Sequence, residues 1–149
     1  MARVRAGLVT LVLLLPLVAG AADDVGRIKV ATGTVTVERG GTRLPATVGL
    51  RLLQGDVIVT GRDGAAGMTL NDDSLLSIGA DSVLAIDRFA FDSTTHGGQL
   101  DASLRRGTLA AVSGKIARQS PDAMRVRTPS TILGVRGTEF VVRVAPVAP

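Results

Sequence analysis

Thr128-Pro-Ser-Thr-Ile-Leu-Gly-Val-Arg-Gly-Thr-Glu-Phe140 places two glycines, a proline, an arginine and a glutamate in one short apolar run. Gly134 and Gly137 bracket Val135 and Arg136. That spacing predicts a positive φ or a close backbone neighbour, as at a β-bulge or tight turn. Beyond them the chain alternates strictly. Phe140, Val142 and Val144 fall on one face of an expected strand and Val141 and Arg143 on the other, the pattern of a half-buried closing strand.

Upstream the same period-two beat recurs. Ile28 and Val30, then Val35 and Val37, alternate with polar residues, and Gly40-Gly41 closes a hairpin. Thr42 to Ala46 reads as a short extended piece that Pro45 confines to an edge. Val57-Ile-Val-Thr60 is rich in β-branched residues and follows a turn at Gln54-Gly-Asp56. Further strands are expected around Ala66 to Leu70, Leu76 to Ile78, Leu84 to Phe91, Leu100 to Leu104, Thr108 to Val112 and Met124 to Val126. Between them stand reversals at Gly61-Arg-Asp-Gly64, Asn71-Asp-Asp-Ser74 and Gly79-Ala-Asp-Ser82. Polar loops are expected at Asp92 to Gly98 and around Ala117 to Asp122. Short strands with turn residues every eight to twelve positions predict an all-β single domain of antiparallel strands, a sandwich, roll or barrel. A solenoid is the less favoured alternative, because the repeats around Gly55-Asp56, Gly64 and Asp73-Ser74 are unevenly spaced.

The closing run, Thr128-Pro129 followed by Leu133-Gly-Val-Arg-Gly-Thr-Glu-Phe140, resembles the end of a FecR domain. Gly33-Thr-Val-Thr-Val37, Leu53 to Gly61 and Asp73 to Ile78 extend the resemblance over most of the chain. It implies a periplasmic sensing or scaffolding module. In the best-known members a cytoplasmic segment holds a sigma factor, a transmembrane helix follows, and the FecR domain receives a signal from an outer-membrane transducer. This chain offers no segment ahead of its leader for the first role, so sigma-factor regulation is not carried over. Many FecR domains carry Asp-Gly-Ser where this chain has Asp72-Asp73-Ser74, which leaves open whether the turn keeps the same backbone.

The chain opens as an export signal does. Arg3 and Arg5 precede the apolar run from Gly7 to Val18, and Ala19-Gly-Ala21 supplies small residues for cleavage. A cleaved leader 1–21, a β domain 22–144 and a flexible tail 145–149 are therefore expected. The uncharged stretch from Ala6 to Ala22 falls short of the roughly 20 residues of a spanning helix, so no stable membrane span is expected after cleavage. There is no cysteine, which removes lipid anchoring through an N-terminal Cys, disulfides and thiolate chemistry. Losing Arg3 and Arg5 lowers the basic count from 17 to 15 against 13 acidic residues, so the net charge falls from +4 to +2. The basic residues that remain crowd toward the C-terminus. Arg105, Arg106, Arg125 and Arg127 form the expected partner face, suited to a protein or an anionic envelope polymer. Nucleic acid is discounted: the chain has three Phe and no Tyr or Trp to stack on bases.

Catalysis and cofactors find no support in the residue types. Asp56, Asp63, Asp72, Asp73 and Asp81 sit in turns, where a carboxylate caps backbone N–H groups, while Asp87 stands in a strand. Asn71-Asp72-Asp73 lacks the glycine and distant glutamate of a calcium loop. His96 is the single histidine and cannot hold zinc alone. Arg136 and Glu139 are expected to pair with each other or with groups under the sheet; an exposed Arg136 presented to an anion is the alternative. The reading that results is a non-catalytic periplasmic binding module. A structural subunit of an envelope assembly and a regulator in a FecR-type system are kept as alternatives, and neither the oligomeric state nor further export is fixed by the sequence.

Overall fold

The computed structural model describes residues 24–136 and 138–146. The expected leader 1–21, Gly137 of the closing motif and the last three residues of the expected tail lie outside that description. Chain order runs β1 (Asp24–Thr32), β2 (Val35–Arg39), β3 (Thr42–Pro45), β4 (Arg51–Leu53), β5 (Val57–Thr60), β6 (Ala65–Leu70), β7 (Leu75–Ile78), β8 (Val83–Phe91) and β9 (Gly98–Val112). A helix α1 (Lys115–Gln119) and a single 3-10 turn (Pro121–Ala123) lead into β10 (Met124–Arg127), β11 (Ile132–Gly134) and β12 (Glu139–Val144).

The strands join in one 12-stranded sheet, ordered β3-β2-β5-β8-β9-β7-β6-β1-β4, with β10 and β12 also on β9 and β11 on β10. The all-β single domain read from the turn spacing is what forms. All pairs are antiparallel except β9 with β10, so the strands do not stack as the parallel coils of a solenoid. The sheet curls into a half-barrel because β9 serves both of its halves. Residues up to Arg106 pair with β8, whereas Leu109 to Val112 pair with β7 on one side and β12 on the other. Between them Gly107 takes φ +90°. That conformation is open to glycine at little cost and lets a single 15-residue strand turn from one half to the other.

Alternation drives burial. In β5, β6 and β7 every second residue is buried, which places Ile58, Met68, Leu70, Leu76 and Ile78 inside the curl. Leu84, Ile86, Leu100, Leu104 and Leu109 close over them from β8 and β9. Each such side chain contributes about 1.5–3 kcal/mol on burial, and together they replace the cross-links that a cysteine-free chain lacks. β2 and β3 form the expected hairpin through Gly40-Gly41, both at positive φ, and β3 ends the sheet at Pro45 as an edge strand should.

Two local expectations are corrected and one open question is answered. The loop expected from Ala117 to Asp122 is instead α1 and the 3-10 turn, with Ile116 and Ala117 buried in the core. This short crossover is what allows β10 to run parallel to β9, since parallel neighbours need a connection of about a dozen residues. Gly134 has an ordinary φ, and a Cβ placed there would meet nothing, so its expected backbone constraint is absent. Asp73 adopts φ +66° despite its side chain, so the turn does include the left-handed residue that glycine would supply.

Candidate binding face

β8, β9 and β10 lie side by side, and their outward residues meet in rows. Across one row Arg88 of β8 and Arg125 of β10 both stand in register with Asp101 of β9. In the next, Arg127 is opposite Ser103. A register shift between Ile86 and Arg88 leaves Asp87 out of step. Its carboxylate accepts a hydrogen bond from the Ser103 hydroxyl. These side chains and Gln99 line a pocket of about 410 Å³ on the sheet's outer surface. Arg105 adjoins Arg127 beside Thr128 and Pro129, which extends the basic surface along β9.

Asp101 is the unusual member. It is only 7% exposed. Its Oδ2 accepts from Gln99 Nε2 at 2.8 Å, while the buried Oδ1 has no hydrogen-bond partner among the described residues. The three ion pairs among those residues are Arg39–Asp56, Arg43–Glu38 and Lys115–Asp73, so Arg88, Arg105, Arg125 and Arg127 keep their charge free of a carboxylate partner there.

The expected partner face is thus divided. Arg105, Arg125 and Arg127 come together on this surface, but Arg106 turns away to a separate depression beside Asp81 and Arg143. Arg88 and Asp101 were not anticipated. Asp101 alternates with Leu100 and Ala102 and so reads as an ordinary solvent-side residue; Arg88 lies outside the C-terminal charge skew, on a strand whose phase the bulge changes.

Several residues of the closing motif make contacts within the fold. Thr128 N–H donates to Thr131 O at 2.8 Å and Thr131 N–H to Thr128 Oγ1 at 3.2 Å, forming the β10–β11 turn around Pro129. Val135 is buried, Leu133 packs against the core, and Thr138 O accepts from Ser113 N–H. Phe140, Val142 and Val144 lean on the core from β12 while Val141 and Arg143 face outward, the alternation expected. Arg136 and Glu139 are both exposed, and no ion pair joins them. The expected pairing of these two does not form, because each points toward water instead of under the sheet.

Turn carboxylates are used as caps. Asp56 accepts from Leu53 N–H and Asp63 from Thr34 N–H. Asp72, fully buried, accepts from Ser74 N–H, Ser74 Oγ and Ile116 N–H, tying the 71–74 turn to α1. Asp63 and Asp92 are held below the usual carboxylate range, chiefly by backbone N–H groups of Thr34 and Thr94; Asp73 is held there by Lys115. Among the described residues no group of three His, Cys, Asp or Glu could hold a metal ion. No helix among them is long and apolar enough to cross a membrane.

Fold and surface together define a small β domain that presents a charged face and, among the described residues, no cluster of metal-ligating side chains. The FecR protein family model matches residues 56–147. The chain belongs to the FecR family, a family of non-catalytic periplasmic domains with signalling or scaffolding roles that typically work through protein–protein contacts. No curated protein and no solved structure matches the chain.

Proposed function

We propose that residues 1–21 are a cleaved leader and that the β domain acts in the periplasm as a binding module, gripping an anionic partner on the β8–β9–β10 face. The partner is a protein surface or an envelope polymer. One observation carries this: Arg88, Arg105, Arg125 and Arg127 share that face without carboxylate partners among the described residues. Guanidinium groups left without counter-charges are suited to bidentate binding of carboxylate or phosphate. The basic leader, its apolar run and the Ala19-Gly-Ala21 site support export.

Elution of the purified protein from immobilised polyglutamate tests the face. Replacing these four arginines with alanine should lower the eluting salt concentration well below that of a control in which Arg27, Lys29, Arg51 and Arg62 are replaced. Equal elution of the two variants refutes the assignment. The assembly alternative draws on the free edges of β11 and β12, where Ile132 is 60% and Val141 66% exposed. A monomer at high concentration in size-exclusion chromatography removes it.

A further inference from the structure

A sheet edge is a row of unpaired N–H and C=O groups, and native folds blunt it with short strands, prolines or bulges. Among the described strands β3, β4, β11 and β12 each have a neighbour on one side only. β3 has four residues and ends in Pro45, while β4 and β11 have three residues each. β12 carries no such device. Its six residues contain no proline and pair with β9 without a register shift. Beyond it lies a groove of about 520 Å³, lined by Val141 to Ala145 on one side and by the Thr128–Thr131 turn and Leu133 on the other.

The sequence of β12 says what completes it. Glu139, Val141 and Arg143 are exposed on its outward face, Val141 to 66%. Neither charge has an ion-pair partner among the described residues. At about 3.4 Å per residue the two stand roughly 13 Å apart along the strand, too far to pair with each other. A second β12 laid antiparallel, with the two Val141 residues opposed, brings each Glu139 opposite Arg143 of the other copy. The same register sets Phe140 against Val142 on the inner side, apolar against apolar. A slip of one residue puts Arg143 against Phe140 or Glu139 against Val142 and inverts the faces, while a slip of two leaves both charges opposite uncharged residues. Parallel pairing in the matching register would set Glu139 against Glu139 and Arg143 against Arg143.

We propose that β12 is a dimerisation edge: two copies of this chain join by antiparallel β12–β12 pairing about a two-fold axis at Val141, continuing the sheet from one copy into the next. The Glu139–Arg143 pairs, formed twice by symmetry, fix the register, and the two Val141 side chains cover each other. This inference rests on the assembly alternative above and is independent of the basic face. It narrows that alternative to one strand, one register and one partner.

Sedimentation equilibrium of the purified protein tests it, and the wild type should form a dimer. Glu139→Arg and Arg143→Glu each set like charges opposite one another twice and should raise the dimer dissociation constant about tenfold or more. Mixed in equal amounts, the two single variants should associate with each other, because every opposed pair is then of opposite charge. The variant carrying both changes should dimerise as the wild type does. The cysteine-free sequence permits a direct check: Val141→Cys should cross-link to its own copy in air, whereas Ile132→Cys on β11 should not. A monomeric wild type overturns the dimer and removes the assembly alternative with it, while the basic face stands. A dimer that both charge reversals leave intact, that mixing does not restore, or that Ile132→Cys cross-links faster than Val141→Cys overturns the β12 register and leaves assembly standing.

Discussion

Arg39 holds both oxygens of Asp56: Nε donates to Oδ1 at 2.8 Å and Nη2 to Oδ2 at 2.7 Å. Asp56 is 1% exposed, and its Oδ2 also accepts from Leu53 N–H, while Arg39 Nη2 also reaches Arg51 O at 2.8 Å. The end of β2 is thereby pinned to the β4–β5 corner, and the hydrogen bond with Asp56 drives the Arg39 guanidinium pKa further up. Arg39 is 32% exposed and stays hydrated without its partner, so Asp56→Ala loses the charge-assisted hydrogen bonds and the Leu53 cap without burying a lone charge, and should lower stability by about 2–3 kcal/mol. Arg39→Lys loses the two-pronged geometry but keeps a charge and should cost about 1–2 kcal/mol. Urea unfolding of the two variants measures both. An Asp56→Ala midpoint equal to wild type would show that the pair adds nothing.

Gly107 is the second point on which the fold turns. A Cβ there would lie 2.1 Å from Ser82 Oγ and 2.5 Å from Ser82 Cα, and the residue already sits at φ +90°. Ser82 cannot yield easily. Its N–H donates to Thr60 Oγ1, its Oγ accepts from Thr108 N–H, and Ser82 and Thr60 are both buried. Gly107→Ala should therefore cost about 3 kcal/mol or more, combining backbone strain with overpacking. Gly40→Ala shares the positive φ but meets open space, so its cost should stay at about 1–2 kcal/mol. The contrast separates conformational strain from collision, and thermal melts of the pair resolve it.

The strand sequence was legible because period-two alternation and turn residues act locally; β5, β6 and β7 bury every second side chain in the phase their sequences set. What stayed hidden depends on long-range pairing. β9 looks like two strands, because Arg105-Arg-Gly107 reads as a turn, yet its ladders to β8 and β7 hold it as one. Likewise Asp72 reads as a turn cap and is one, but its bond to Ile116, 44 residues on, could not be foreseen. Of the binding face, Arg105, Arg125 and Arg127 showed in the charge skew, and Arg88 did not. Nor did the burial of Asp101 between Arg88 and Arg125, since it needs the register of three strands.

Asp73 joins the same corner at its surface, and its effect can be read through pH. Its Oδ2 lies 2.9 Å from Lys115 Nζ, and that partner depresses its pKa below the ordinary 3.8. A carboxylate depressed by folding adds stability that is complete above its unfolded value and disappears as pH falls through its folded one. Asp73→Gly removes this share but also relieves the left-handed strain at φ +66°. At pH 7 the two changes oppose each other, so the variant's urea midpoint should lie close to wild type. Below pH 3.8 the wild type loses the Lys115 contribution while the variant keeps its relaxed backbone, so the balance should move in favour of the variant. Asp63 and Asp92 are depressed in both proteins, so both should weaken in acid, and the difference between them isolates Asp73. A constant difference between the two midpoints from pH 7 to pH 3 would show that the Lys115 contact carries no folding energy.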